Sequence, residues 1–212
     1  MFSVIFDMDG TLLDTQRICI PAWDYAGEKH GYKNMGQYVP QLCGVNANFS
    51  NNFLKENFPD LDAVQFKADA KEYIEKNLVV RFMPGAKELV DYLKGRGVKM
   101  ALASGTSRPS VVHHLKEVNV LDAFDTLVCG TEVENGKPAP DIFLETARQL
   151  GVDPETCFVF EDSENGVRAA AAAGMKCIGI ADIKPFCDEV KKLMYCELES
   201  MHEAIEIFEN EK

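Results

Sequence analysis

The chain has 212 residues, of which 46% are hydrophobic and 26% charged, so it can fold around a core and is neither disordered nor fibrous. Its formal net charge of −12 disfavours nucleic acid and anionic membrane surfaces as partners. No stretch approaches the ~18 apolar residues of a membrane span, the N-terminus does not resemble a signal peptide, and the seven cysteines lack paired spacing, so we expect a cytoplasmic protein.

Short apolar runs alternate with helix-periodic stretches along most of the chain. The runs predict buried strands at residues 3–6, 98–103, 126–129, 157–160 and 176–180. Between them, helices are predicted at 85–93, 110–118, 140–150 and 165–173, with Gly95, Gly151 and Gly174 in the C-cap role. An acidic amphipathic segment predicts a final surface helix at 197–212. This order predicts an α/β fold with a doubly wound, Rossmann-like parallel sheet.

The segment from residue 15 to 80 interrupts this alternation, because its pattern is helical and polar and it contains no comparable strand. We therefore predict an α/β core of residues 1–14 and 81–212 with an inserted α-helical cap of residues 15–80. Backbone-breaking residues at Pro84 and Gly85 mark the return to the core. Such a cap is expected to open and close over the active site.

Polar residues follow four of the apolar runs, at the strand ends where ligands bind in open parallel sheets. They are Asp7-Met8-Asp9-Gly10-Thr11, Ser104-Gly105-Thr106, Gly136-Lys137-Pro138 and Glu161-Asp162-Ser163. Two carboxylates two positions apart share one side of an extended backbone, and their mutual repulsion favours a bound cation or a shared proton. With Glu161 and Asp162 the ligand set is oxygen-only, which suits Mg²⁺ rather than zinc.

These residue types fit phosphoryl transfer. One carboxylate can attack phosphorus to form an aspartyl-phosphate, while a second protonates the leaving oxygen and then activates water. Lys137 and the metal would balance the charge on the equatorial oxygens. Ser104, Gly105 and Thr106 come before a helix expected near Pro109. Their backbone N–H groups, with the hydroxyls of Ser104 and Thr106, are suited to hold the phosphoryl group.

The four motifs in this order, with a helical insert after the first strand, resemble the haloacid dehalogenase-like hydrolase superfamily. The resemblance covers essentially the whole chain and is closest to the phosphatase and phosphoglucomutase branch. It implies that Asp7 is the nucleophile and Asp9 the acid/base. It further implies that Mg²⁺ is held by Asp7, the Asp9 backbone carbonyl and Asp162, with Glu161 supporting its water shell. Ser104 and Lys137 would bind the phosphoryl oxygens.

The resemblance also bears on the reaction. The hexose-phosphate mutases of the superfamily carry a Lys before the cap-loop glycine and a His early in the cap, whereas this chain has Cys43 before Gly44 and no His in its early-cap stretch. We therefore expect hydrolysis of a small phosphate monoester, a sugar phosphate or similar metabolite. The alternatives are a phosphosugar mutase and a non-catalytic phosphometabolite-binding protein. Candidate substrate contacts are Arg17, Gln41, Gly44, Asn46, Asn48 and Arg108.

Overall fold

The computed structural model describes residues 2–42 and 47–210, with only the backbone given at residues 47–48. The chain folds into two compact units. Met1–Asp14 and Val80–Lys212 form the first, here called the core unit, and Thr15–Val79 form the second, here called the helical unit.

A six-stranded parallel sheet is the centre of the core unit. Its strands are β1 (Ser3–Phe6), β2 (Lys99–Ser104), β3 (Thr126–Cys129), β4 (Cys157–Glu161), β5 (Lys176–Gly179) and β6 (Cys196–Glu197). The spatial order is β3-β2-β1-β4-β5-β6, so the direction of winding reverses at β1. This confirms the predicted α/β class with a doubly wound sheet. The carboxyl ends of β1, β2 and β4 lie side by side at the point where ligands bind in such sheets.

The described part of the helical unit consists of helices joined by short connections. They are α1 (Cys19–Lys29), α2 (Val39–Leu42), α3 (Ala47–Asn57) and α4 (Ala63–Asn77). α1 packs against α4 around Phe66, whose ring meets Trp23 edge to face at 5.1 Å between centroids. Buried Asp69 of α4 forms an ion pair with Lys29, and one of its oxygens lies 2.9 Å from His30 Nε2, so a carboxylate links the two helices.

The remaining helices cover the sheet. They are α5 (Ala86–Gly95), α6 (Arg108–Glu117), α7 (Asp141–Leu150), α8 (Glu164–Ala172), α9 (Asp188–Lys191) and α10 (His202–Asn210). α7 packs on β2 and β3, α8 packs on β4 and β5, and α10 lies against α5. All residues of β1 and β4 are buried, because parallel strands lie between helix layers.

Several element boundaries differ from the prediction. β2 and β4 each extend one residue beyond the predicted runs, so Ser104 and Glu161 end strands rather than follow them. The predicted helix at 197–212 is wrong at its start, because Glu197 pairs in β6 and the helix begins only at His202. Gly95 is the last residue of α5 rather than its cap, and the left-handed conformation falls on Gly97 (φ 65°).

Gly151 (φ 65°) and Gly174 (φ 74°) do take the left-handed conformation beyond α7 and α8, as their C-cap role requires. Across residues 2–42 and 47–210, no helix combines the length and the apolar character needed to cross a membrane.

Candidate active site

Four segments of the core unit bring their polar side chains together at the carboxyl ends of the strands. Asp7 follows β1 directly, Ser104 ends β2 and Glu161 ends β4, and all three are buried. The fourth segment is the connection between β3 and α7, which carries Lys137. The predicted clustering of strand-end residues in the core is therefore seen, with residues 7 to 161 brought together by the winding of the sheet.

Lys137 is the hub of the site. Its ammonium group donates to Asp7 Oδ1 at 2.5 Å and to Glu161 Oε1 at 2.5 Å, and also to the backbone carbonyl of Ala103 at 3.2 Å. The Lys137 side chain is only 12% exposed, and its Nζ lies 4.9 Å from the centre of the Phe143 ring. Because all these partners are electron-rich, the lysine is held as a cation between two carboxylates.

Burial and mutual repulsion raise the pKa values of the carboxylates in this site. Burial, together with the charges of Glu161 and Asp9, raises the pKa of Asp7 to about 8 in spite of the opposing Lys137 cation. Burial also raises the pKa of Asp162, with Glu161 and Asp7 adding to the effect. For Lys137, burial opposes the charge, but Asp7 and Glu161 outweigh it and raise the lysine pKa. The region thus carries more negative charge than one lysine balances, which favours a further cation.

Three buried carboxylates form an acidic cluster that attracts such a cation. Single oxygens of Asp7, Glu161 and Asp162 all lie within 4.8 Å of one another, and all three residues are buried. Thr11 Oγ1 donates to Asp162 Oδ1 at 3.1 Å and so orients this ligand. An oxygen-only cluster of this kind suits a hard divalent cation such as Mg²⁺ or Ca²⁺, so the residues fit a divalent metal.

Glu161 is tied down at both oxygens. Oε1 accepts from Lys137, while Oε2 accepts from the backbone N–H groups of Asp162 and Ser163 at 3.1 Å each and from Ser163 Oγ at 3.0 Å. Ser163 Oγ also accepts from the N–H of Gly166 and caps α8. With its lone pairs engaged in this way, Glu161 is better suited to support a metal from the next shell than to bind it directly.

Asp9 lies at the edge of this cluster and has different partners. Its Oδ2 accepts a hydrogen bond from Thr106 Oγ1 at 2.7 Å and one from Ser104 Oγ at 3.2 Å. The prediction that residues 7–9 are extended is wrong, since the chain turns at Met8. Both carboxylates still reach the site, because this turn rather than a two-residue strand period sets their directions.

The other predicted residues lie in the core unit, in the helical unit or outside the described residues. Arg108 forms a bidentate ion pair with Glu132, with N···O distances of 2.5 and 2.8 Å, and donates to the carbonyl of Leu127 at 2.6 Å. Arg17 and Gln41 are exposed residues of the helical unit. Gly44, Asn46 and the side chain of Asn48, like Cys43, lie outside the described residues.

Sequence reasoning gave no role to Thr11, which ends the first strand-end motif, or to Gly166, which lies three residues after the fourth. Thr11 is fully buried and holds Asp162. Gly166 packs against the Glu161 carboxylate so closely that a Cβ there would lie 1.9 Å from it. The sequence did contain a signal for this role, because glycine is unfavourable in the first turn of a helix unless close packing requires it.

Comparisons with known proteins bear on this site. Residues 3–174 match the family model of the haloacid dehalogenase-like hydrolases. The chain is 34% identical over 181 residues to a phosphorylated carbohydrates phosphatase of Thermotoga maritima, with 83% of each chain covered. It is 32% identical over 184 residues to fructose-1-phosphate phosphatase YqaB of Escherichia coli, covering 84% of this chain and 95% of that one. A crystal structure of a candidate beta-phosphoglucomutase from Thermotoga maritima matches with a TM-score of 0.82 and 29% identity, covering 100% of both chains.

Proposed function

Because the chain belongs to the haloacid dehalogenase-like hydrolase family, we propose that it hydrolyses small phosphate monoesters through a phosphoaspartate intermediate on Asp7. Relatives more than 30% identical to the chain are named as phosphatases, so the chain is a phosphoric monoester hydrolase. Two of these are named for phosphorylated carbohydrates and for fructose 1-phosphate, which supports a sugar phosphate or a similar metabolite as substrate.

The observation that carries the proposal is the environment of Asp7. Its buried carboxylate directly follows a strand, contacts the Lys137 ammonium at 2.5 Å and shares an acidic cluster with Asp162. A carboxylate is a competent nucleophile only when ionised, and Lys137 supports the ionised form. The surplus of negative charge supports a divalent cation as the second stabilising group.

We assign Mg²⁺ as this cation, held by Asp7, Asp162 and the Asp9 backbone carbonyl, with Glu161 supporting its water shell. When bound, Mg²⁺ supplies positive charge beside the phosphoryl oxygens and offsets the repulsion among the carboxylates. Ser104, the backbone N–H of Gly105 and Lys137 then complete the phosphoryl-binding side of the site.

The chemistry has two steps. In the first, an Asp7 oxygen forms a bond to phosphorus while the ester P–O bond breaks, and a proton on Asp9 passes to the departing alkoxide oxygen. In the second, Asp9 takes a proton from water as the water oxygen attacks phosphorus, and the P–O bond to Asp7 breaks to release phosphate and the free carboxylate. Asp9 thus ends each cycle protonated, as it began.

Substrate selection is assigned to a cap of residues 15–80. Insertion of this segment soon after Asp7 in the chain supports a role next to the chemistry, and Arg17, Gln41, Gly44, Asn46 and Asn48 are its candidate substrate contacts. A cap that closes over the site would exclude bulk water and favour small substrates over nucleic acid or membranes. Buried thiols at Cys129, Cys157 and Cys177 support the reducing cytoplasm as its location.

The test is phosphate release from a panel of small phosphate esters, including fructose 1-phosphate, with Mg²⁺ and with a chelator. Asp7→Asn, which keeps the side-chain shape but not the nucleophile, is the matched control. We expect metal-dependent release by the natural protein and a loss of at least about 10³-fold in Asp7→Asn, in line with removal of a covalent nucleophile. Activity retained in Asp7→Asn, or interconversion of hexose phosphates without release of phosphate, would contradict the proposal.

A further inference from the structure

The hydroxyl of Thr106 makes a contact that a phosphate ligand would not be expected to make. Thr106 Oγ1 donates to Asp9 Oδ2 at 2.7 Å, a short distance that indicates a strong hydrogen bond from a hydroxyl to a carboxylate. A threonine hydroxyl has a single proton. While that proton is donated to Asp9, it is not available for a phosphoryl oxygen, which also needs a donor.

Ser104 differs from Thr106 in this respect. Its Oγ is 3.2 Å from Asp9 Oδ2, a longer and weaker contact, and it accepts the backbone N–H of Thr106 at 3.0 Å. The Ser104 proton can therefore turn to a phosphoryl oxygen at little loss. The same N–H bond ties the backbone of Thr106 to the side chain of Ser104 at the end of β2.

We propose that Thr106 is a positioning residue for the acid/base Asp9 rather than a phosphate ligand, an inference that rests on the function proposed above. Thr106 holds Oδ2 of Asp9, so that the proton for the leaving group is carried on Oδ1. This orientation presents the proton to the ester oxygen as the P–O bond breaks. In the second step it presents the basic oxygen to the attacking water. Thr106 itself neither gains nor loses a proton.

The test compares three variants by steady-state kinetics with Mg²⁺. Thr106→Val removes the hydroxyl with little change of shape, Thr106→Ser restores it, and Ser107→Ala removes the neighbouring exposed hydroxyl, whose partner is Ser110. Thermal unfolding of each variant shows that it is folded. The substrates are 4-nitrophenyl phosphate, whose leaving group needs little protonation, and fructose 1-phosphate, whose alkoxide needs a proton.

A positioning role predicts a pattern that depends on the leaving group. kcat/KM reports steps up to release of the alcohol, so for fructose 1-phosphate we expect Thr106→Val to lower it by about 10- to 100-fold, part of the 10²–10⁴ that a general acid supplies. For 4-nitrophenyl phosphate we expect a change of at most about threefold in kcat/KM. With this substrate, kcat and KM of Thr106→Val should fall together, because water activation by Asp9 is now slow. A burst of nitrophenol should accompany the fall. Thr106→Ser should recover the kcat/KM lost in Thr106→Val, and Ser107→Ala should have the kcat/KM of the natural protein.

Other outcomes overturn the inference. An equal loss of kcat/KM for both esters, with a raised KM, would make Thr106 a phosphate ligand, and no loss for either would leave it without a role in positioning Asp9. Failure of Thr106→Ser to recover activity would point to packing by the side chain instead. If the natural protein released phosphate from neither ester nor from the wider panel, the proposed function would fail and this role would fail with it.

Discussion

Gly166 shows how one residue's size can determine the geometry of a charged site. A Cβ at this position would lie 1.9 Å from Oε1 and 2.2 Å from Oε2 of Glu161, so an alanine cannot be accommodated unless the carboxylate moves. Gly166 lies in the first turn of α8, where the backbone is helical and alanine is otherwise preferred by about 1 kcal/mol. Any loss on substitution therefore comes from contact with Glu161 and not from the backbone.

We expect Gly166→Ala to lower the unfolding free energy by about 1–3 kcal/mol, the usual cost of overpacking. It should also lower kcat/KM for phosphate release, because displacement of Glu161 disturbs Lys137 and the acidic cluster. Denaturant unfolding and initial rates measure the two effects. Gly95→Ala is the matched control, since a Cβ at this helical residue meets nothing within 4 Å. Equal behaviour of the two variants would refute the steric role of Gly166.

The composition of the site was more predictable than its contacts. Asp7, Lys137 and Glu161 could be selected from the sequence because each ends or follows an apolar run, or lies in the connection to the next one. The hydrogen bonds from Lys137 to carboxylates 130 and 24 residues away depend on the sheet order. The pairing of Thr106 with Asp9 depends in addition on a turn at Met8, which no periodicity reveals.

Among the elements, α10 is attached to the sheet by aromatic packing. Phe208 is fully buried, stacks on Phe2 at 4.8 Å between ring centroids and meets the ring of Phe158 edge to face at 5.1 Å. We expect Phe208→Ala to lower the unfolding free energy by about 3–5 kcal/mol through lost burial and the cavity it leaves. Thermal or denaturant unfolding measures this loss, and Glu209→Ala on the exposed side of α10 is its control. A change below about 1 kcal/mol would mean that α10 is not anchored by Phe208.

The elements also show where a sequence pattern stops being informative. Strands β1 and β4 were predictable because they are continuous apolar runs, as buried parallel strands are. β6 was missed because it is only two residues long and pairs a cysteine and an exposed glutamate with β5 at the edge of the sheet. Helix periodicity predicted a helix from residue 197 onward, but α10 begins only at His202. The pattern could not reveal that the Leu198 N–H donates to the carbonyl of Gly179 at the end of β5.

At the scale of the whole molecule, folding stability and the active site are linked through proton binding. Burial and the neighbouring carboxylates raise the pKa of Asp7 to about 8, whereas the pKa of an unfolded aspartate is about 4. Between these values the folded protein without metal keeps a proton that the unfolded chain releases. The stability that comes from this bound proton on Asp7 is therefore complete below about pH 4 and is lost as the pH rises toward about 8.

Asp7→Asn removes this titration while keeping a similar side-chain shape, so we compare its melting temperature with that of the natural protein in the presence of a chelator. We expect the variant to be the more stable of the two by a larger margin at about pH 8 than at about pH 5.5, since only the natural protein must bury an additional charge at the higher pH. Adding Mg²⁺ should raise the melting temperature of the natural protein more at the higher pH, because a cation binds the ionised carboxylate. A margin that does not change with pH would show that Asp7 is already ionised throughout this range, with Lys137 alone sufficient to hold its charge.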